Sequence, residues 1–137
     1  MSAFRTTRRV EFADTDMEGM VHFARFLVFM ETAEHELLRA VGTEIDRGPA
    51  GERWHWPRVK VECEYRAPLR FGDAVEIEVR VAERGSSSVT YEHTLRRGGD
   101  TVATGRVKAV CCRLDDDGTL HATPLPGSFA AALDGFA

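Results

Sequence analysis

The densest gathering of polar and flexible residues in the chain is Asp14-Thr15-Asp16-Met17-Glu18-Gly19-Met20-Val21-His22. Closely spaced carboxylates serve two common chemistries, cation ligation and acid, base or nucleophilic work. The run Asp-x-Asp-x-Glu-Gly matches the opening of a calcium loop, but the twelfth position from Asp14, where such a loop needs a bidentate Glu, is Arg25. The pattern before it is also strand-like rather than helical. Calcium is therefore disfavoured. The alternative is a reactive carboxylate beside a helix N-terminus. Backbone N–H groups of a first helical turn, here around His22 and Phe23, lack intrahelical acceptors and carry partial positive charge. An oxygen that becomes negative during a reaction is stabilised there. Asp16, a few residues earlier, is then placed to attack a carbonyl or to activate a water. Gly19 permits close approach of the backbone to a ligand. Aspartates are equally suited to satisfying turn and cap hydrogen bonds, and the local pattern leaves that use of Asp14 and Asp16 open.

The elements that must position this segment are legible from hydrophobic period. Residues 8–13 alternate, with Val10 and Phe12 on one side and Arg9 and Glu11 on the other, which predicts a strand ending near Asp14. Apolar residues at 23, 26, 27, 30, 33, 37, 38 and 41 follow one helical stripe, predicting a helix over 23–41. Gly42 suits the position just past its end. Residues 43–55, with Gly48, Pro49 and Gly51, show neither period and read as a loop. Residues 57–67, 74–83, 88–96 and 101–113 alternate again, separated by Phe71-Gly72-Asp73, Arg84-Gly85-Ser86 and Gly98-Gly99-Asp100. Those breaks read as hairpin turns between four successive antiparallel strands. An Ala-rich segment near the end reads as a last helical turn. One helix on one antiparallel sheet is an α+β arrangement.

Composition narrows the function. A length of 137 residues predicts one domain, 1–137, and 43% hydrophobic with 29% charged residues is ordinary globular usage. Lys and Arg total 18 against 22 acids, for a net charge of −4, so nucleic acid is not an expected partner. No apolar run is longer than Phe26 to Met30, which is too short for a membrane span, and no apolar leader follows Met1, which predicts a cytoplasmic protein. Cys63, Cys111 and Cys112 form neither a disulfide framework nor a Cys-x-x-Cys pair. No cofactor is called for. His22 and His35 have no partners at metal-ligand spacing, so no metal is expected.

The stretch Val10-Glu-Phe-Ala-Asp-Thr-Asp-Met-Glu-Gly-Met-Val-His-Phe-Ala-Arg-Phe26, followed by Leu27-Val-Phe-Met-Glu-Thr-Ala-Glu34, resembles the signature of hot-dog-fold thioesterases of the 4-hydroxybenzoyl-CoA thioesterase type. Val61-Glu-Cys-Glu-Tyr-Arg-Ala-Pro-Leu-Arg-Phe-Gly-Asp73 is similar to that family's next strand and turn. The resemblance spans roughly residues 8–113 and implies a hot-dog fold, a five-stranded antiparallel sheet wrapped around one long central helix. It implies hydrolysis of an acyl-CoA thioester, with Asp16 as the catalytic carboxylate, the Phe23 N–H as oxyanion donor and the Gly19 turn positioning both. It also implies a homodimer or homotetramer with sites at subunit interfaces. Some family members place basic residues in the turn that here spans Glu83 to Val89, where this chain has Arg84-Gly85-Ser86-Ser87-Ser88. An acyl carrier protein is therefore a second possible carrier of the thioester. A hot-dog domain that binds acyl groups without hydrolysing them is the competing class, as is a hot-dog dehydratase, whose Asp and His motif is not evident.

Further candidates carry bland alternatives. His22 is placed to meet substrate or water near Asp16, or to make a purely local bond at the helix start. Glu31, on the edge of the helical stripe, is placed to support the site or to pair with an arginine, and Glu34 falls inside the stripe. His55 between Trp54 and Trp56 is placed to line an acyl pocket, but the two Trp are read as covering an interface.

Overall fold

The computed structural model describes residues 3–43 and 53–137. In chain order its elements are β1 (Phe4–Arg9), α1 (Arg25–Ala40), β2 (Arg58–Tyr65), β3 (Ala74–Arg84), β4 (Ser88–Arg97), β5 (Asp100–Val110), β6 (Cys112–Leu114), β7 (Leu120–Ala122) and α2 (Gly127–Asp134). Five strands form one antiparallel sheet in the order β1-β3-β4-β5-β2, and α1 packs against one face of it. This is the α+β hot-dog arrangement that the sequence resemblance implies.

The core forms where the helical stripe meets three strand rows. Phe26, Phe29, Met30, Ala33, Glu34, Leu37 and Leu38 are the buried positions of α1. Facing them are Ile77, Leu95 and Ala103, then Val79, His93 and Gly105, then Val81, Tyr91 and Val107, each row running straight across β3, β4 and β5. Each fully buried large apolar side chain stabilises the fold by about 1.5–3 kcal/mol. Gly105 is part of that fit, because a Cβ there would collide with Met30 Cε and Sδ. His93 is wholly enclosed, and burial holds its pKa down to about 4, so the ring is neutral at pH 7.

Several sequence expectations are corrected. The first strand lies at Phe4–Arg9, not at 8–13, and Phe12 to Asp14 form a short 3-10 turn that leaves Phe12 79% exposed. Reciprocal bonds cause the turn: the Glu11 N–H donates to Asp14 Oδ2 at 2.8 Å and the Asp14 N–H to the Glu11 carbonyl at 3.0 Å. In β1 an arginine serves where an apolar residue was sought, since the Arg8 guanidinium lies 4.5 Å from the centre of the Phe29 ring. The helix begins at Arg25, so Phe23 is exposed, whereas Phe29, absent from the expected stripe, is fully buried. Phe71-Gly72-Asp73 is not a hairpin turn. β2 pairs with β5, so residues 66–73 carry the chain from one sheet edge to β3, which pairs with the other edge strand.

Toward the C-terminus the last long strand breaks at Cys111, whose N–H donates to the Ser87 carbonyl at 2.7 Å, and a separate β6–β7 hairpin follows. The Ala-rich end forms an eight-residue helix, α2, rather than a single turn. Its Phe129 packs on Trp54 at 5.8 Å and on Trp56 at 5.2 Å between ring centres. The two Trp therefore pack on α2 within the same chain, Trp54 buried and Trp56 half-buried. His55 exchanges backbone bonds with Cys112, at 2.9 and 2.8 Å. Part of the expected 43–55 loop, residues 44–52, lies outside the described residues.

Candidate active site

The acidic segment is a tight loop held at both ends by backbone bonds. The Asp16 N–H donates to the Met20 carbonyl at 2.8 Å and the Gly19 N–H to the Asp16 carbonyl at 3.0 Å. Gly19 has φ +79°, a left-handed conformation that favours glycine, and open space lies where its side chain would be. The Val21 N–H reaches the Leu69 carbonyl at 2.8 Å, and Met20 bridges to Arg70, so the 66–73 crossover supports the loop from one side.

The two aspartates differ sharply. Asp14 is 1% exposed. Its Oδ1 accepts from Arg25 Nε at 3.0 Å and Nη2 at 2.7 Å, Arg8 Nη2 is 3.6 Å away, and its Oδ2 accepts the Glu11 N–H. Burial pushes its pKa up, but the Glu11 N–H and the Arg25 and Arg8 guanidinium groups outweigh that, and the carboxyl titrates below its ordinary value of 3.8. Asp14 is thus consumed in structure. Asp16 is half-buried, and among the described residues it accepts only the Glu18 N–H, at 2.8 Å, and has no cationic partner. It lines an open depression of about 570 Å³ with Phe12, Thr15, Met17, Gly19 and Phe71. Phe12 and Phe71 meet edge to face at 6.3 Å, and Met17 is fully exposed. An unpaired carboxylate with an apolar rim suits a substrate whose reacting group is polar and whose remainder is not.

At the entry to α1, the His22 N–H donates to the Asp14 carbonyl at 2.9 Å, and His22 Nδ1 accepts the Ala24 N–H at 3.1 Å. The His22 ring stacks on Phe23 at 4.6 Å. His22 thus takes the local bond that the sequence left open. The Phe23 N–H, by contrast, has no acceptor among the described residues, while its carbonyl accepts the Tyr65 hydroxyl at 3.0 Å. Tyr65 also packs on Phe26 at 5.0 Å, so β2 fixes the start of the helix. Sequence reasoning quoted Tyr65 in a motif but assigned it no contact.

Glu31 does not line the Asp16 depression. It is exposed and borders a separate pocket of about 170 Å³ between α1 and β2, with Leu27, Val28, Glu34, Arg58, Val61 and Val107. The helix carboxylate that pairs with an arginine is Glu34, 3% exposed, which accepts Arg58 Nη1 at 2.7 Å and Nη2 at 2.8 Å. Burial raises the Glu34 pKa, and Arg58 opposes that only in part. Among the described residues no group of three or more His, Cys, Asp or Glu is arranged to hold a metal ion, and no helix is long and apolar enough to cross a membrane.

Comparison with known proteins adds the following. The model of a family described as the thioesterase-like superfamily matches residues 10–133. The chain is 29% identical over 131 residues to a 1,4-dihydroxy-2-naphthoyl-CoA hydrolase of Synechococcus elongatus, covering 92% of this chain and 91% of that one. It is 31% identical over 109 residues to the acyl-CoA thioester hydrolase YbgC of Escherichia coli O157:H7, covering 79% and 81%. Among solved structures, the gentisyl-coenzyme A thioesterase BH1999 superposes with a TM-score of 0.80 at 28% identity, over 94% of this chain and 98% of that one.

Proposed function

The chain belongs to the thioesterase-like superfamily, and on that footing we propose that it is an acyl-CoA thioesterase, hydrolysing an acyl or aroyl thioester to the free acid and CoA. The observation that carries the proposal is the state of Asp16: among the described residues a carboxylate free of any ion pair, on a tight loop that leads into α1, with the Phe23 N–H two residues before that helix unsatisfied. In the first step either the Asp16 carboxylate attacks the thioester carbonyl, or it takes a proton from a water that attacks. The carbonyl oxygen becomes an oxyanion and accepts the Phe23 N–H, stabilised by the positive end of α1. Collapse expels CoA as its thiolate, which takes up a proton. In the covalent route a single water then cleaves the Asp16 anhydride, releasing the acid and restoring the carboxylate. Gly19 keeps the approach to Asp16 open, and an acyl carrier protein thioester is the second carrier that fits the same chemistry. The test is a hydrolysis screen across aromatic, short-chain and long-chain acyl-CoAs, with thiol release expected for at least one class.

The site is completed by a second copy. β1 and β2 are the edge strands, and β1 is a short, arginine-rich edge of the kind that resists pairing. β2 instead exposes Val59, Val61 and Tyr65 along an unpaired backbone and borders the Glu31 pocket. Pairing of two copies along β2 would cover these side chains and join each Asp16 loop to a neighbour. Sedimentation at micromolar concentration is expected to give at least twice the 15.3 kDa chain mass; a fully active monomer would contradict the shared site.

Turnover needs only a carboxylate and backbone donors. Treatment with a strong chelator is therefore expected to leave both rate and melting temperature unchanged, and a rate restored by one divalent ion would reinstate Asp14, Asp16 and Glu18 as cation ligands.

A further inference from the structure

His22, Phe23 and Ala24 lead from the Asp16 loop into α1, and their backbone polar groups are held almost throughout. The His22 N–H donates to the Asp14 carbonyl at 2.9 Å, and the His22 carbonyl accepts the Arg25 N–H at 2.8 Å. The Ala24 N–H donates to His22 Nδ1 at 3.1 Å, and the Ala24 carbonyl accepts the Leu27 N–H at 3.2 Å. The Phe23 carbonyl accepts the Tyr65 hydroxyl at 3.0 Å. Among the described residues that leaves the Phe23 N–H as the one backbone group of the three residues without a partner. Every other anchor lies within residues 14–27, whereas Tyr65 belongs to β2 and ties the segment to the sheet.

The Tyr65 bond changes the local backbone pattern. In a regular α-helical turn the Leu27 N–H would donate to the Phe23 carbonyl, four residues back. Here it turns to Ala24, three residues back, and the Phe23 carbonyl is left for the hydroxyl. Side-chain packing does little to hold Phe23, because its ring is 67% exposed and stacks on the adjacent His22. Tyr65 is itself well fixed, with its ring edge to face on Phe26 of the first turn of α1, at 5.0 Å. Burial and the neighbouring Cys63 thiol push its pKa up to about 12, so the hydroxyl keeps its proton and donates throughout the neutral range.

A donor stabilises a developing oxyanion most when it is oriented before the charge appears, so that nothing has to reorganise during the reaction. We infer that Tyr65 is a positioning residue for thioester hydrolysis: by holding the Phe23 carbonyl, its hydroxyl keeps the adjacent Phe23 N–H in one orientation as a free donor. It acts through Phe23 and not on the reacting atoms. This rests on the proposed roles of Asp16 and of the Phe23 N–H.

The test is Tyr65→Phe, which keeps the ring against Phe26 and removes the hydroxyl alone, beside Tyr65→Leu, which removes both. On an acyl-CoA that the wild type hydrolyses, kcat is expected to fall roughly tenfold or more in both variants. KM should stay within about twofold, because the donor is needed most once charge has developed. In Tyr65→Phe the melting temperature and sedimentation mass should match wild type. Amide nitrogen relaxation supplies a readout that ring packing would not move. In the wild type the Phe23 amide should be as rigid as the helix, with an order parameter of about 0.85, and in Tyr65→Phe it should loosen while Leu37 does not. An unchanged kcat in Tyr65→Phe, a loss of kcat confined to Tyr65→Leu or following a fallen melting temperature, or an equally rigid Phe23 amide in wild type and Tyr65→Phe would each overturn the inference. If the wild type hydrolyses no thioester, the Asp16 reading fails separately, and relaxation at Phe23 alone decides whether Tyr65 holds the segment.

Discussion

Asp16→Asn is expected to lower kcat for thioester hydrolysis by at least ~100-fold, the scale of a lost catalytic base, with melting temperature unchanged. The two halves of that result follow from one geometry. Among the described residues the one bond to the Asp16 side chain is the Glu18 N–H at 2.8 Å, and the amide oxygen of Asn accepts it equally well. The loop is held by backbone bonds, Asp16 N–H to Met20 and Gly19 N–H to Asp16, which the substitution leaves in place. What Asn lacks is the negative charge that attacks carbon or draws a proton from water. Near-wild-type turnover in the variant would remove Asp16 from the reaction.

Asp14→Asn is expected to act on stability instead, costing about 3 kcal/mol, the order found when one member of a buried ion pair is removed. For a chain of this size that is a fall in melting temperature of about 10 °C. Asp14 is 1% exposed, and its charge offsets both Arg25 and Arg8, so a neutral side chain leaves two guanidinium groups undercompensated beside the core. The pH dependence has a definite sign. Because the folded carboxyl titrates below 3.8, its ionic contribution is fully present above that value and is lost as pH falls through the lower, folded pKa. The gap between wild type and variant should therefore narrow only under strongly acid conditions. At temperatures where the variant is folded, kcat should stay close to wild type. A large loss of kcat with an unchanged melting temperature would mean that the roles of the two acids are reversed.

The contrast between these acids shows what could and could not be read from sequence. Two aspartates one residue apart are indistinguishable by local pattern; the difference is made by Arg25, eleven residues on, and by Arg8 from a different element. The period of α1 was legible because one stripe must face the core, but its start was not. Phe23 continues the apolar spacing, while the chain enters the helix only after His22 has accepted the Ala24 N–H. Strand alternation located β2 to β5 to within a few residues, and the turns between them gave the β3–β4 and β4–β5 pairings but wrongly joined β2 to β3, because alternation cannot tell a hairpin from a crossover. The passage of 66–73 between sheet edges, which brings Arg70 beside Met20, therefore went unseen. β1 was misplaced because its inward side chains are largely Thr and Arg, apolar only along the arginine stem. The motif around Asp16 was the most informative stretch through its resemblance to the thioesterase signature; by local pattern alone its aspartates suit turn and cap bonds equally well.

The most direct measurement follows an acyl-CoA incubated with catalytic amounts of the wild-type protein by mass spectrometry. Conversion of many equivalents of the thioester into equimolar free acid and CoA is expected. Recovery of intact acyl-CoA across the aromatic, short-chain and long-chain panel, bound at no more than one equivalent per chain, would contradict it and identify an acyl-binding protein instead.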